Sequence, residues 1–365
     1  MIRQLLKQNK KRKIQLLVKA PVRICDIGGW IDTWFSAHGK VFNITVWSKN
    51  FGSIEETYSG ITTYADIKLA RKKKGTFQLD APDIKRKYIF STDHSDWDKS
   101  DLLQAALSAV GLPEGIDAKM ALSSNVIPRG SSVGSSAAVS VGLVATLEKI
   151  KRGEIDPNWI ARKTHEIETE IMGIQCGVQD QASIASASGA AIIDIYHYPN
   201  FNVLPCSLTE STIKDLEDRL LTLVYGAEHS SSEVHKLVIK RLEKKGRLAP
   251  ELEYLRLLPE EARYCVLDGD MECLGQVMIR NTEGQKNLHP ALVSKTCQKL
   301  IDVAKKEKAY GWKVNGAGGP QGGSLTILCG QKSKSEVGQI FQKKFPNMVI
   351  LEHKIANNGL QIEIK

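Results

Sequence analysis

The chain has no run approaching the ~20 consecutive apolar residues of a membrane-spanning helix, so no membrane partner is expected. Its opening residues, MIRQLLKQNKKRKIQLLVKAP, hold no apolar core of the length a secretory leader needs. It also has no Cys-x-x-Cys pair. Its seven cysteines, Cys25, Cys176, Cys206, Cys265, Cys273, Cys297 and Cys329, are odd in number. A disulfide framework and a structural zinc are therefore not expected, and a reducing, cytoplasmic setting is. Aromatics are scarce at 6%. The formal charge of +9 comes from short, scattered basic runs (Lys10–Lys13, Arg71–Lys74, Lys244–Lys245, Lys305–Lys308) with no interleaved aromatics. Nucleic acid is therefore not an expected partner, and a mild basic excess suits small anionic substrates. No G-x-x-x-x-G-K-[ST] loop occurs, and no G-x-G-x-x-G follows a strand with an acidic residue downstream.

What is present is an ordinary globular composition, 42% hydrophobic and 25% charged, over 365 residues. That length suits two domains or one large one. Short alternating runs (Ile14–Val18, Val41–Trp47, Gly52–Thr57, Lys87–Phe90) predict strands. Helical spacing predicts helices over Asp101–Val110, over 137–147, and over Pro157–Ile171 with Asp156 as cap. After a junction at Pro199–Leu208, the pattern reads strand (Leu220–Tyr225), helix (Ser232–Lys244), a helix-rich stretch (Glu251–Asn281) and a helix from His289 to Lys308. A strand with a Gly-rich turn (Trp312–Gly323), a strand at Ser324–Cys329, a helix at Lys334–Phe345 and a last strand at Met348–His353 complete it. The class is α+β in both halves, divided as residues 1–205 and 206–365. Oligomeric state is not readable.

The most informative segment is Pro128-Arg129-Gly130-Ser131-Ser132-Val133-Gly134-Ser135-Ser136-Ala137-Ala138. Gly130 and Gly134 allow turns that a side chain would block. Ser135 and Ser136 stand where a helix should start and can cap it. Backbone N–H groups converging on a helix N-terminus attract anions, most often phosphate. A Gly/Ser loop can also serve only as a cap.

Two further segments stand out. One is Lys19-Ala20-Pro21-Val22-Arg23-Ile24-Cys25-Asp26-Ile27-Gly28-Gly29-Trp30-Ile31-Asp32-Thr33, and the other is Val314-Asn315-Gly316-Ala317-Gly318-Gly319-Pro320-Gln321-Gly322-Gly323-Ser324. Between them lie Glu168-Thr169-Glu170 and Cys176-Gly177-Val178-Gln179-Asp180-Gln181. With the Gly/Ser loop, this ordered set resembles the three signature blocks of the GHMP kinases, which include galactokinase, homoserine kinase and mevalonate kinase. The finer resemblance is to the sugar-kinase branch. GGWIDT is similar to the matching segments of L-fucokinases and D-glycero-D-manno-heptose 7-phosphate kinases, and CGVQDQ to the CGIMDQ of galactokinases. There are departures. The second block has Val133 where relatives carry leucine, with Arg129 beside the loop, and Pro320-Gln321 interrupt the third glycine run.

The resemblance implies a two-domain GHMP kinase fold, an N-terminal domain of ribosomal-protein-S5 type and a C-terminal ferredoxin-like domain, with the active site in the cleft between them. It implies ATP- and Mg2+-dependent phosphorylation of a sugar or sugar phosphate at the anomeric hydroxyl. The alternatives are a kinase of a non-sugar alcohol, of mevalonate or homoserine type, and a non-catalytic sugar-sensing homologue. Asp180 matches the catalytic aspartate, and a carboxylate can take the hydroxyl proton. Arg23 matches the basic residue that would hold Asp180 ionised, with Lys19 in reserve. Asp32 matches the aspartate that binds sugar hydroxyls. Trp30 either packs on a sugar face or fills a core edge, and Gly29, Gly318 and Gly319 would border the substrate. Pro128, Gly130, Ser131, Ser132, Val133, Gly134, Ser135, Ser136 and Ala137 would hold ATP. Glu168 and Ser136 (or Ser135) would hold Mg2+. Two residues apart on a helix, Glu168 and Glu170 point in different directions, so only one should reach the metal. Asp26 reads as structural. His229 and His235 lack metal-pair spacing, and His94, His165 and His289 read as surface or capping residues.

Overall fold

The computed structural model describes residues 6, 13–49, 58–70, 74–81, 85–92, 94–123, 127–128, 130–226, 231–246, 248–319 and 322–365, with the side chains at 231–233 and 235 left aside. The strand expected at Gly52–Thr57, Arg129, His229, the His235 side chain and Pro320–Gln321 lie outside the described residues.

The strands are β1 (Lys13–Ala20), β2 (Val22–Ile27), β3 (Gly39–Lys49), β4 (Tyr58–Ser59), β5 (Ile61–Leu69), β6 (Thr76–Ala81), β7 (Arg86–Ser91), β8 (Ile116–Ser123), β9 (Ala190–His197), β10 (Asn200–Pro205), β11 (Leu220–Gly226), β12 (Gly311–Val314), β13 (Gly322–Leu328), β14 (Val349–Leu351), β15 (His353–Ile355) and β16 (Gln361–Ile364). The helices are α1 (Leu102–Val110), α2 (Ser135–Lys151), α3 (Pro157–Glu166), α4 (Gln179–Ser186), α5 (Glu210–Arg219), α6 (Ser231–Lys245), α7 (Pro250–Arg256), α8 (Leu258–Asp268), α9 (Met271–Leu288), α10 (Lys295–Lys306) and α11 (Lys334–Lys344).

Among the described residues the strands form three sheets. The first runs β16-β1-β5-β8-β6-β7, and the second runs β10-β9-β3-β15 with β2 and β4 also on β3. The third, β12-β13-β11-β14, is antiparallel throughout. Numbered along the chain its strands lie in the order 2-3-1-4, the ferredoxin-like arrangement, with α10 and α11 burying Leu300, Ile301, Val337 and Phe341 on one face. Because α2 is apolar almost all round, it lies in the interior. A methyl at Gly142 would come 3.1 Å from Thr63 Oγ1 on β5, which sets how closely helix and sheet approach. Asp101 and Asp156 cap α1 and α3 by accepting from backbone N–H groups in the first turn.

Five expectations need correction. The last strand breaks at Glu352, because β14 pairs with β11 whereas β15 pairs with β3. Together with β16 on β1, this returns residues 353–364 to the sheets of the first half, so the division at 205/206 does not hold at the C-terminus. Cys265 and Cys273 are bonded: the turn at Gly269, in the left-handed region, brings α8 and α9 together with these Cα atoms 5.6 Å apart. The helix expected from His289 is a short 3-10 turn over Pro290–Leu292, and α10 starts only after Ser294, which caps it. Finally, α3 ends at Glu166 and passes into a π turn over Ile167–Ile171. No helix of the described residues is long and apolar enough to cross a membrane.

Candidate active site

The site is built around β2, whose six residues are all buried. Its pairing with β3 shifts register between Ile24 and Ile27, and Cys25 has φ 55°. Such a bulge re-aims side chains. Arg23 and Asp26 thereby come to line one cleft of about 300 Å³.

Arg23 is 3% exposed, and its guanidinium grips Asp180 with two bonds, Nε to Oδ1 at 2.7 Å and Nη2 to Oδ2 at 3.2 Å. Its Nη1 donates to the Ser132 carbonyl at 2.6 Å. Burial disfavours the charge, but Asp180, Asp26 and Asp32 outweigh it and hold the guanidinium firmly protonated. Asp180 sits in the first turn of α4 with about a quarter of its side chain exposed to the cleft.

The Gly/Ser loop lies directly above. Gly134, at φ 77°, takes the position before α2, and a methyl there would come 3.4 Å from both Arg23 Cγ and Asp180 Oδ2. No side chain caps this helix, which departs from the capping role expected of Ser135 and Ser136. Gly134 leads instead, because only glycine enters the left-handed region without cost. The first-turn amides of Ser135, Ser136 and Ala137 have no intrahelical acceptor, and these three residues line the cleft. The third loop closes the wall: a methyl at Gly316 would come 2.9 Å from the Ser132 carbonyl and 3.2 Å from Arg23 Nη2.

Asp32 is 2% exposed and accepts from the Gln179 N–H at 3.0 Å, which ties it to the turn entering α4. Burial pushes its carboxyl up to about 6, with the Gln179 N–H opposing and the Asp180 charge adding. Glu168 projects inward from the π turn, whereas Glu170 is exposed. Its Oε1 accepts from Ser140 Oγ at 2.7 Å and its Oε2 from Gln181 Nε2 at 2.5 Å. Burial raises its pKa, and those hydrogen bonds oppose the rise. Glu168 and Ser136 both line the cleft, and one carboxylate with one hydroxyl is the sparse, hard-oxygen donor set that suits Mg2+ when phosphates and water supply the rest.

Arg23, Trp30, Asp32, Gly130, Ser132, Gly134, Ser135, Ser136, Ala137, Glu168 and Asp180 are thus brought to one cleft. Pro128, Ser131, Val133, Gly29, Gly318 and Gly319 do not line it. Ser131 and Val133 are fully buried and contribute carbonyls, to Ser324 Oγ and the Arg23 N–H. Gly29 is packed on Asp26 Oδ2, where a methyl would come within 2.9 Å. Gly318 is turned onto the Leu292 carbonyl, and Gly316 and Ala317 take the cleft-facing positions instead. Lys19, the reserve cation, pairs with Glu363. His165 is buried rather than at the surface: its Nε2 meets the Tyr198 hydroxyl at 3.0 Å, and burial pushes it down to about 4.

Sequence reasoning missed the residues that brace these loops. Asn281 Oδ1 accepts from the Gly28 N–H at 2.7 Å, and Asn315 Oδ1 accepts from the Cys25 N–H at 3.0 Å. Gln285 donates to the Gly316 carbonyl at 2.9 Å. Asn281 and Gln285 share one face of α9, and an i,i+4 pair of amides in an otherwise apolar stripe was the available signal.

Residues 100–189 match the GHMP kinases N terminal domain. The chain contains a GHMP kinase N-terminal domain. Among curated relatives, the bifunctional fucokinase/GDP-fucose pyrophosphorylase of Arabidopsis thaliana is 26% identical over 348 residues, covering 90% of this chain. The match spans 31% of that longer protein. The mevalonate kinase of Pyrococcus furiosus is 27% identical over 327 residues, covering 83% of this chain and 90% of the relative. Among solved structures, a D-glycero-D-manno-heptose 1-phosphate kinase from Bacteriodes thetaiotaomicron superposes with a TM-score of 0.69 at 16% identity. That match covers 96% of this chain and 98% of the other, and it shows the GHMP kinase fold.

Proposed function

We propose that this GHMP kinase transfers the γ-phosphoryl group of ATP to a hydroxyl of a sugar, at the anomeric position, in the cleft centred on Arg23 and Asp180. The observation that carries the reading is the bidentate Arg23–Asp180 pair directly beneath the Gly/Ser loop. The α2 first-turn amides and the hydroxyls of Ser135 and Ser136 receive the phosphates. Asp180 accepts the proton of the attacking hydroxyl, and Arg23 holds its carboxylate fixed in direction with two hydrogen bonds. Asp32 accepts hydrogen bonds from neighbouring sugar hydroxyls, and Trp30 forms the adjoining wall. Glu168 and Ser136 would hold Mg2+, which neutralises phosphate charge when bound. Positioning and electrostatics dominate, and no covalent step on the protein is needed.

The mevalonate-kinase relatives favour a second reading, phosphorylation of a non-sugar alcohol. The cleft lining argues for a neutral polyol over a carboxylate-bearing alcohol. Its described side chains include the acids Asp26, Asp32, Glu168 and Asp180 against the single cation Arg23, which Asp180 already engages. Intact Arg23, Asp180 and Glu168 argue against a purely sensory homologue. The test is phosphate transfer from MgATP to galactose, fucose, mannose, heptose phosphates, mevalonate and homoserine, with products identified by mass spectrometry. A phosphomonoester of a sugar is expected. Transfer to mevalonate or homoserine alone would refute the sugar assignment.

A further inference from the structure

Lys313, at the penultimate position of β12, has no exposed surface, and its ammonium reaches Asp26 Oδ1 at 3.2 Å and Gln285 Oε1 at 2.9 Å. It also donates to the Val314 carbonyl. Asp26 is 1% exposed. A buried ion pair is a poor stabilising device, because removing both charges from water costs as much as their attraction returns. A well-packed apolar pair would serve the fold equally well, so this pair needs a reason beyond stability.

Its surroundings supply one. Asp26 accepts from the Gly316 N–H with both oxygens, at 3.0 and 3.1 Å, and its Oδ2 is packed on Gly29. It therefore stands where the first and third glycine segments meet. It also lies 3.8 Å from Arg23 Nη1. Four charges follow one another in alternating sign: Lys313, Asp26, Arg23, Asp180. Asp26 and Asp180 thus both lie within 4 Å of one guanidinium, and Lys313 neighbours only the first of them.

We infer that Asp26 and Lys313 are positioning residues for phosphoryl transfer. Lys313 balances the charge of Asp26, so that Arg23 keeps both hydrogen bonds to Asp180 while Asp26 is left to hold the Gly316 loop. This rests on the kinase reading above. Without Lys313, Asp26 becomes an uncompensated buried anion whose nearest remaining side-chain cation is Arg23. The guanidinium then turns from Asp180, and the base loses its orientation before substrate affinity suffers.

The test compares wild type, Lys313→Met and the double variant Asp26→Asn/Lys313→Met. Steady-state kinetics are measured with the best alcohol found for the wild type, ATP affinity by calorimetry, and folding by thermal denaturation. Lys313→Met should lower kcat by about 10–100-fold while KM and ATP affinity stay within about threefold. The double variant removes both charges, keeps an amide oxygen at position 26 to accept from the Gly316 N–H, and leaves Arg23 to Asp180 alone, so it should recover kcat to within about fivefold of wild type. A role limited to packing would not be rescued by neutralising Asp26. A folded Lys313→Met with wild-type kcat overturns the inference, as does a folded double variant no better than the single. If Lys313→Met does not fold, the double variant decides alone: folded and active supports the inference, and folded and inactive refutes it. A wild type inactive on every alcohol is the separate result that removes the kinase reading itself.

Discussion

Gly177→Ala puts the placement of Asp32 to a sharp test. A methyl at position 177 would fall 1.9 Å from Asp32 Oδ2 and 2.5 Å from its Cγ. The nearer approach is about 1.5 Å short of ordinary van der Waals contact. Neither side can yield cheaply. Asp32 is buried, its carboxylate holds the Gln179 N–H at 3.0 Å, and its own carbonyl holds the Val178 N–H at 3.2 Å. The substitution must therefore break the Gln179–Asp32 bond and swing the carboxylate out of place. A hydrogen bond to a charged group is worth about 1.5–3 kcal/mol, which corresponds to a sugar KM raised by roughly 10–150-fold. ATP affinity should hold, since the three atoms nearest that methyl all belong to Asp32 and none to the Gly/Ser loop. The assay pairs sugar-dependent initial rates with ATP calorimetry and a melting curve. A folded Gly177→Ala protein with wild-type sugar KM would refute the role given to Asp32.

Two other outcomes follow from the same geometry. Asp32 is raised from 3.8 to about 6 by burial, so the folded protein holds this proton more tightly than the unfolded chain. Its cost is absent below about pH 4, grows as pH rises through 4 to 6, and reaches about 3 kcal/mol above that. Asp32→Asn should therefore raise the melting temperature by about 2–4 °C at pH 7.5 and have little effect near pH 4, while losing sugar affinity; an equal shift at both pH values would contradict the assignment. Glu168→Gln should raise the Mg2+ concentration giving half-maximal rate by about tenfold or more, read from a metal titration at saturating ATP, because one of the two oxygen donors loses its charge.

The parts of the site legible in the sequence were those written in local chemistry. Gly130, Gly134 and the serines after them announce a loop opening a helix, and α2 follows as the apolar interior helix its composition requires. Asp156 was legible as a cap because capping needs only its own first turn. The Arg23–Asp180 pair was reachable only through the resemblance, since 157 residues separate the partners. Lys313 reads locally as an ordinary strand residue, and nothing near it signals a buried partner 287 residues away. Asp26 reads as structural from its neighbours in the chain, and its contacts with Gly316 and Arg23 give it more to do. The glycines of the third loop were legible as a group but not individually. The turn at Gly316, φ 56°, decides which face the cleft, and that depends on the distant Leu292 carbonyl against which Gly318 packs. The return of β15 and β16 to the first half escaped for the same reason: strand partners are chosen by edges left open elsewhere in the fold, not by the strand's own residues.

The most direct measurement of the account is single-turnover phosphoryl transfer by Asp180→Asn, with ATP and sugar binding measured on the same preparation. Asn preserves the shape of the side chain and can still meet Arg23, but it cannot accept the hydroxyl proton. The account predicts binding within about threefold of wild type and transfer slowed by roughly 10²–10⁴-fold. Wild-type transfer by a variant that binds both ligands normally would contradict it.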